Sequence, residues 1–144
     1  MRIAICTATL ATASLALAAC APNEEMEMDE PMTGCAVYQS RDWQAWISAM
    51  PGPDAKPTLH IQGEVDMPTP GYSVKLVEGP ADRMQPPGLR FRLETKRPDG
   101  MTMQVITPKK VRYSEPTPYS QIREIIITCG DETLVTISDV PVAQ

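Results

Sequence analysis

The fold of this chain is decided by the stretch Leu59-His60-Ile61-Gln62-Gly63-Glu64-Val65-Asp66. Leu59, Ile61 and Val65 alternate with polar side chains, and a period of two is typical of a strand with one buried face. The next residues, Pro-Thr-Pro-Gly at 68–71, indicate a turn. The stretch therefore predicts a β-strand followed by a reversal of the chain.

The same alternation recurs along the rest of the chain. Apolar runs of strand character lie at residues 72–76, 89–93, 103–106, 111–113, 122–128 and 134–137. Most of the 15 prolines fall between these runs, as expected because proline interrupts the hydrogen-bond ladder of a central strand. About seven short strands separated by turns predict an all-β fold. We expect an immunoglobulin-like two-sheet sandwich, with a small β-barrel as the alternative.

One short N-terminal helix is predicted at residues 40–50, ahead of these strands. Its apolar residues recur at i, i+3, i+4 and i+7, which places them on one helical face. They are Trp43, Trp46, Ile47 and Met50. Ser40 is suited to cap this helix, and Pro-Gly-Pro at 51–53 to end it. The two tryptophans are expected either to pack on the sheet or to form an aromatic shelf that binds sugar or peptide.

The first residues of the chain have the composition of a secretory signal. Met1-Arg2 precedes a short run of small and apolar residues that ends in Leu17-Ala18-Ala19-Cys20. This ending resembles the lipobox of bacterial lipoproteins. The resemblance implies that residues 1–19 are a signal peptide and that Cys20 is acylated, for example with palmitate. In Gram-negative lipoproteins an aspartate after the lipidated cysteine marks retention in the inner membrane. Position 21 is Ala21, so the resemblance implies the outer membrane, facing the periplasm, in a host that has one.

Residues 20–33 form an acidic segment between the predicted anchor and the strands. Five acidic residues lie in this segment without a basic neighbour, and its low apolar content predicts a flexible tether. They are Glu24, Glu25, Glu27, Asp29 and Glu30. The β-sandwich domain is then expected to span residues 34–144. Residues 41–46, 50–53 and 68–72 are similar to small uncharacterised bacterial envelope proteins, a resemblance that implies no particular activity.

The cysteines are consistent with a lipoprotein. Cys6 falls in the predicted signal and Cys20 at the lipid site, so Cys35 and Cys129 remain. A pair of cysteines in an oxidising compartment predicts a disulfide. A disulfide between Cys35 and Cys129 would close a long loop, and this should stabilise the fold by about 4–5 kcal/mol. The alternative is a metal or redox pair, although the chain has no CxxC motif and His60 is its single histidine.

Three groups of residues are candidates for binding. Met26, Met28 and Met32 lie among carboxylates, and thioethers are ligands for Cu(I). Trp43 and Trp46 form the candidate shelf. A basic face for an acidic partner is the third candidate. It is formed by Arg90 and Arg92, with Lys109, Lys110 and Arg112.

Composition narrows the function. The net charge is −5, and the folded part has nearly equal numbers of acidic and basic residues, which argues against nucleic-acid binding. No nucleophile elbow, phosphate loop or zinc spacing occurs, so we expect no enzyme and no cofactor. The sequence predicts a lipid-anchored envelope protein that is a non-catalytic binding or structural module, with another envelope protein or peptidoglycan as its partner, and leaves its molecular function open. A copper-handling protein and a hydrolase of unrecognised type are the alternatives.

Overall fold

The structure is a computed structural model that describes residues 34–50 and 52–144. The predicted signal peptide, the lipid site Cys20 and the tether of residues 20–33 lie outside the described residues. Within them the chain is all-β. Its strands are β1 (Gln39–Ser48), β2 (Thr58–Met67), β3 (Ser73–Glu78), β4 (Gly88–Lys96), β5 (Thr107–Pro116), β6 (Glu124–Cys129), β7 (Glu132–Ile137) and β8 (Val142–Ala143).

The strands form two four-stranded sheets, with the orders β5-β2-β1-β8 and β3-β4-β6-β7. Both sheets are mixed, because β1 pairs with β8 and β4 with β6 in parallel while the other neighbours are antiparallel. Between the sheets, the edge strands β3 and β5 contact each other on one side, and on the other side the edge strand β7 contacts β1, the neighbour of β8. Two open sheets with a shared core fit a sandwich, which confirms the all-β prediction and favours the sandwich over the barrel.

The core consists of the side chains that alternate inward along the strands. In β2, Leu59, Ile61, Val65 and Met67 are buried. Leu89, Phe91 and Leu93 of β4 face them from the second sheet. At the β3–β5 edge, the ring of Tyr113 packs edge-on against Phe91, with 4.9 Å between ring centroids. The period-two predictions for these strands are therefore correct.

The predicted helix at residues 40–50 is wrong, because most of this segment forms strand β1. Ala45 and Ile47 point into the core, whereas Trp46 lies between them on the outer face. The helical spacing overlooked Ala45, whose small side chain nevertheless belongs to the inward series. β1 pairs with β2 along most of its length, and such tertiary pairing outweighs a weak local helical preference. Met50, assigned to the apolar helical face, is exposed.

A β-bulge in β1 determines where Trp43 lies. The register with β2 shifts between Arg41 and Gln44, so two residues of β1 lie opposite Gly63. Asp42 in the bulge has a φ of 55°. The shift turns the ring of Trp43 inward, where it packs against the core. A Cβ on Gly63 would lie 2.3 Å from Trp43 Cε3, so the ring occupies the space that a side chain at position 63 would need.

The predicted disulfide is confirmed. Cys35 precedes β1 and Cys129 ends β6, and their sulfurs are bonded with 5.1 Å between the Cα atoms. The bond joins the segment that leads into the first sheet to a central strand of the second sheet. Because it closes a loop with a sequence separation of 94 residues, it restricts the unfolded chain strongly.

The apolar run at residues 103–106 was predicted as a strand and lies instead in the loop between β4 and β5. Its side chains are exposed. β5 begins at Thr107 and accommodates Pro108 because β5 is an edge strand. Among the described residues, no helix has the length and apolar character needed to cross a bilayer.

Candidate functional site

The outer face of the β5-β2-β1-β8 sheet carries two adjacent rows of polar and aromatic side chains. These residues come from β1, β2 and β5, whose outward positions lie opposite one another in register. We call this surface the polar face. The first row is Trp46, His60 and Ser114, and the second is Gln44, Gln62 and Arg112.

The first row is centred on His60. Its ring stacks on that of Trp46, with 5.1 Å between centroids and 18° between the planes. On the other side, His60 Nδ1 lies 3.1 Å from Ser114 Oγ. Either atom is the donor, depending on the imidazole tautomer. The row therefore fixes the orientation of the imidazole and presents an aromatic pair beside a hydroxyl.

The second row supplies amide and guanidinium groups. Gln62 Nε2 donates to Gln44 Oε1 at 3.2 Å. Arg112 is exposed on the neighbouring edge strand and forms no ion pair within the part of the chain that the structure describes. An amide pair and an unpaired guanidinium offer several hydrogen-bond donors to a polar ligand. Together with the aromatic pair, they give this face the chemistry of a binding surface.

A charged cluster borders the polar face at the bulge. Arg41 Nη1 donates to Asp66 Oδ2 at 2.7 Å and its Nη2 to Asp66 Oδ1 at 3.0 Å, and Arg41 also contacts Glu64. The hydrogen bonds from Arg41 lower the pKa of Asp66, and the same bonds raise the pKa of Arg41 above its ordinary value. Because this bidentate pair joins β1 to β2 beside the bulge, its role is to hold the strands in register.

A shallow depression of about 330 Å³ lies beside this cluster. It spans the bulge and the β2–β5 pair, so its lining includes both acidic and basic groups. Its lining residues are Asp42, Gln62, Gly63, Glu64, Lys110, Val111 and Arg112. Since Gln62 and Arg112 belong to the polar face, the depression extends that face towards the bulge.

A second depression of about 370 Å³ lies at one end of the sandwich, between the β3–β4 and β5–β6 loops. Its walls include Pro86, Pro87 and Tyr119. The β3–β4 loop is held by Asp82, whose Oδ1 accepts from the Gly88 amide at 2.8 Å. This bond lowers the pKa of Asp82. The β3–β4 loop held in this way forms one wall of the depression, which has no charged lining residue among those the structure describes.

The structure separates several residues that the sequence grouped together. Trp43 packs inside while Trp46 lies on the polar face, so they form no common shelf. Arg90 and Arg92 point outward from β4 in the second sheet, whereas Lys110 and Arg112 belong to the first sheet. The predicted single basic face is therefore wrong, because the two sheets point their outer faces in opposite directions.

The copper hypothesis rests on Met26, Met28 and Met32, which lie outside the described residues. In the described ranges, Met67 is buried in the core, and Met84 lies on a different loop from Met101 and Met103. No group of three or more His, Cys, Asp or Glu side chains able to hold a metal occurs among residues 34–50 and 52–144.

The sequence did not identify the partners of His60. Ser114 lies 54 positions away along the chain, and the β2–β5 register that joins them leaves no local signal. The place of Gln44 beside Gln62 follows only from the strand pairing. The alternation in β2 did predict that His60 and Gln62 share the outer face.

Comparisons of this chain with protein-family models, with curated proteins and with solved structures give no match.

Proposed function

We propose that this protein is a lipid-anchored envelope protein whose β-sandwich is a non-catalytic binding module. Its binding surface is the polar face, and its ligand is a glycan strand of peptidoglycan. The observation that carries the proposal is the pair of adjacent rows, Trp46–His60–Ser114 and Gln44–Gln62–Arg112, on one sheet face. Anchoring at Cys20 is supported by the lipobox-like sequence, and the Cys35–Cys129 bond is of the kind that persists in an oxidising envelope compartment.

The chemistry of the polar face suits a sugar polymer. Aromatic side chains combine an apolar ring with polar neighbours, and sugar rings present apolar C–H groups beside hydroxyls. Gln44, Gln62 and Arg112 supply donors, and the two amides also supply acceptors, for hydroxyl and acetamido groups. Because these side chains project from paired strands, the backbone ladder fixes where each of them leaves the sheet, which lowers part of the cost of ordering the site.

The test compares two arginines of the same chemistry on opposite faces. Binding of the full chain to isolated peptidoglycan is measured by co-sedimentation, with Arg112→Gln as the test variant and Arg90→Gln as the matched control. We expect Trp46→Ala to weaken binding by about ten-fold or more, as a central aromatic contact does. Arg112→Gln should weaken it and Arg90→Gln should not. Equal behaviour of the two arginine variants would show that the polar face is not the binding surface.

The anchor is tested separately. In a lipoprotein-processing bacterium, we expect the mature N-terminus to be an acylated Cys20 by mass spectrometry. Cys20→Ser should allow high salt to release the protein from the outer-membrane fraction, whereas the acylated protein should resist this extraction. An unmodified thiol at Cys20 in native material would contradict the lipoprotein assignment.

A hydrolase is the second candidate, favoured by the contact between Ser114 Oγ and His60 Nδ1. A hydroxyl beside an imidazole is the nucleophile–base arrangement of serine hydrolases. Treatment with a fluorophosphonate probe distinguishes the two functions. Labelling of Ser114 that is lost in His60→Gln would establish an activated nucleophile, whereas the binding proposal predicts no labelling.

We propose the sandwich as a variant of the immunoglobulin-like arrangement. The order β5-β2-β1 matches the way the first, second and fifth strands of that fold pair in one sheet. The parallel β4–β6 pair departs from its antiparallel second sheet.

A further inference from the structure

An exposed apolar loop joins β4 to β5. Residues 97–106 lie between these strands, and we call them the apolar loop. Met101 is fully exposed, and Met103, Val105 and Ile106 are 74%, 50% and 60% exposed. Four large apolar side chains are thus exposed within six residues of the chain, whereas exposed apolar residues on an ordinary surface are scattered singly.

The apolar loop lies at the end of the sandwich where the chain enters the domain. The amide of Tyr38 donates to the carbonyl of Asp66 at 2.9 Å, and Asp66 pairs with Pro108 near the start of β5. The segment before β1 and the end of the apolar loop are therefore at the same end of the first sheet. Tyr38, itself exposed, adds an aromatic ring to this end.

Basic residues flank the apolar loop on both sides. Lys96 and Arg97 precede its apolar residues, and Lys109 and Lys110 follow them. None of these four forms an ion pair within the described residues, and the loop itself contains one acidic residue, Asp99.

Two groups of acidic residues lie at this end of the sandwich. Glu64 and Asp66 are beside the start of β5, and both are paired with Arg41. Asp131 and Glu132 belong to the β6–β7 turn, which follows β6, the parallel neighbour of β4. The residues that directly flank the apolar loop are nevertheless basic, since four basic side chains, unpaired within the described part of the chain, stand against the single acidic residue of the loop.

We propose that the apolar loop inserts into the headgroup region of an anionic phospholipid bilayer. Exposed apolar side chains next to lysine and arginine are the combination that binds a membrane surface, since burial of apolar area and attraction to anionic lipid act together. The orientation rests on the proposed anchor, because Cys20 precedes the same end of the domain. The loop would hold this end against the bilayer and leave the polar face pointing sideways into the periplasm.

The test uses the full chain carrying Cys20→Ser, which has no acyl group, so any membrane binding belongs to the domain. Co-sedimentation is measured with vesicles of phosphatidylcholine and phosphatidylglycerol at 3:1 and with vesicles of phosphatidylcholine alone. We expect binding to the anionic vesicles and loss of that binding at high salt, where the charges are screened.

Variants then locate the contact. Met103→Ser should lower the partition coefficient by about ten-fold. Each of Lys109→Gln and Lys110→Gln should lower it by about five-fold. Met84→Ser is the matched control, because Met84 is 56% exposed on the β3–β4 loop, at the opposite end of the sandwich. Thermal unfolding of each variant checks that the fold is retained.

Three results would overturn the proposal. The first is absence of binding to anionic vesicles. The second is an equal loss of vesicle binding in Met84→Ser and Met103→Ser. The third is vesicle binding that is unchanged in Lys109→Gln and Lys110→Gln. If the acylated protein is membrane-bound but its Cys20→Ser form does not bind vesicles, the loop contact is refuted and the proposed anchor stands. If the native protein is not acylated but the chain binds anionic vesicles, the anchor is refuted and the loop contact stands.

Discussion

Substitution of Gly63 by alanine tests the packing of Trp43 against β2. The added Cβ would lie 2.3, 2.4 and 2.8 Å from Trp43 ring carbons, whereas carbon atoms in contact are about 3.5–4.0 Å apart. The ring must therefore move by more than about 1 Å within a packed region. Overpacking of this kind costs about 1–3 kcal/mol, which for a domain of this size lowers the Tm by about 4–12 °C.

The decisive measurement is a double-mutant cycle with Trp43→Ala, followed by thermal and urea unfolding. With the indole removed, alanine at 63 has room, and since Gly63 does not have a positive φ, the substitution should be neutral or slightly stabilising. The coupling between the two positions is then about 1–3 kcal/mol. Gly34→Ala is the control, because nothing lies within 4 Å of its added Cβ. Equal destabilisation by Gly63→Ala in both backgrounds would refute the packing of Trp43 over Gly63.

Three further predictions concern the disulfide and two titrating groups. Cys35→Ser should lower the free energy of unfolding by about 4–5 kcal/mol, measured by urea denaturation, and dithiothreitol should then have no further effect. The pKa of Asp82 is lowered in the folded protein, chiefly by the hydrogen bond from the Gly88 amide. The contribution of Asp82 to stability is therefore present above pH 4 and is lost as the pH falls. In Asp82→Asn, the urea midpoint should decline less steeply between pH 5 and pH 3. Burial and the hydrogen bond to Glu78 raise the pKa of Tyr113, so stability is lost as the pH rises above about 10, and Tyr113→Phe should weaken that loss.

Much of the fold follows from residue pattern alone. The alternation in β2 and β4 correctly separated inward from outward residues, because a half-buried strand must alternate in this way. Pairing of Cys35 with Cys129 was also predictable once the remaining cysteines had been assigned to the signal and the lipid site. These features depend on local spacing or on counting, which a sequence shows directly.

The incorrect predictions concern features that depend on pairing between distant segments of the chain. The sequence predicts a helix in place of β1 because Trp46 and Met50 stand at helical spacing from Trp43 and Ile47. In the structure Trp43, Ala45 and Ile47 alternate inward, and Trp46 lies on the outer face. The run at residues 103–106 has strand composition but lies beyond the paired part of β5. The polar face could not be predicted, because Ser114 meets His60 only through the β2–β5 register.

The covalent bond between Cys35 and Cys129 also has a mechanical consequence. A force pulling on the chain from its N-terminal side reaches Cys35 before it reaches β1, which begins at Gln39. The load then passes through the sulfurs to the end of β6, a strand held by neighbours on both sides. The force is therefore applied to the second sheet at a central strand. It does not separate β1 from β2 starting at Gln39.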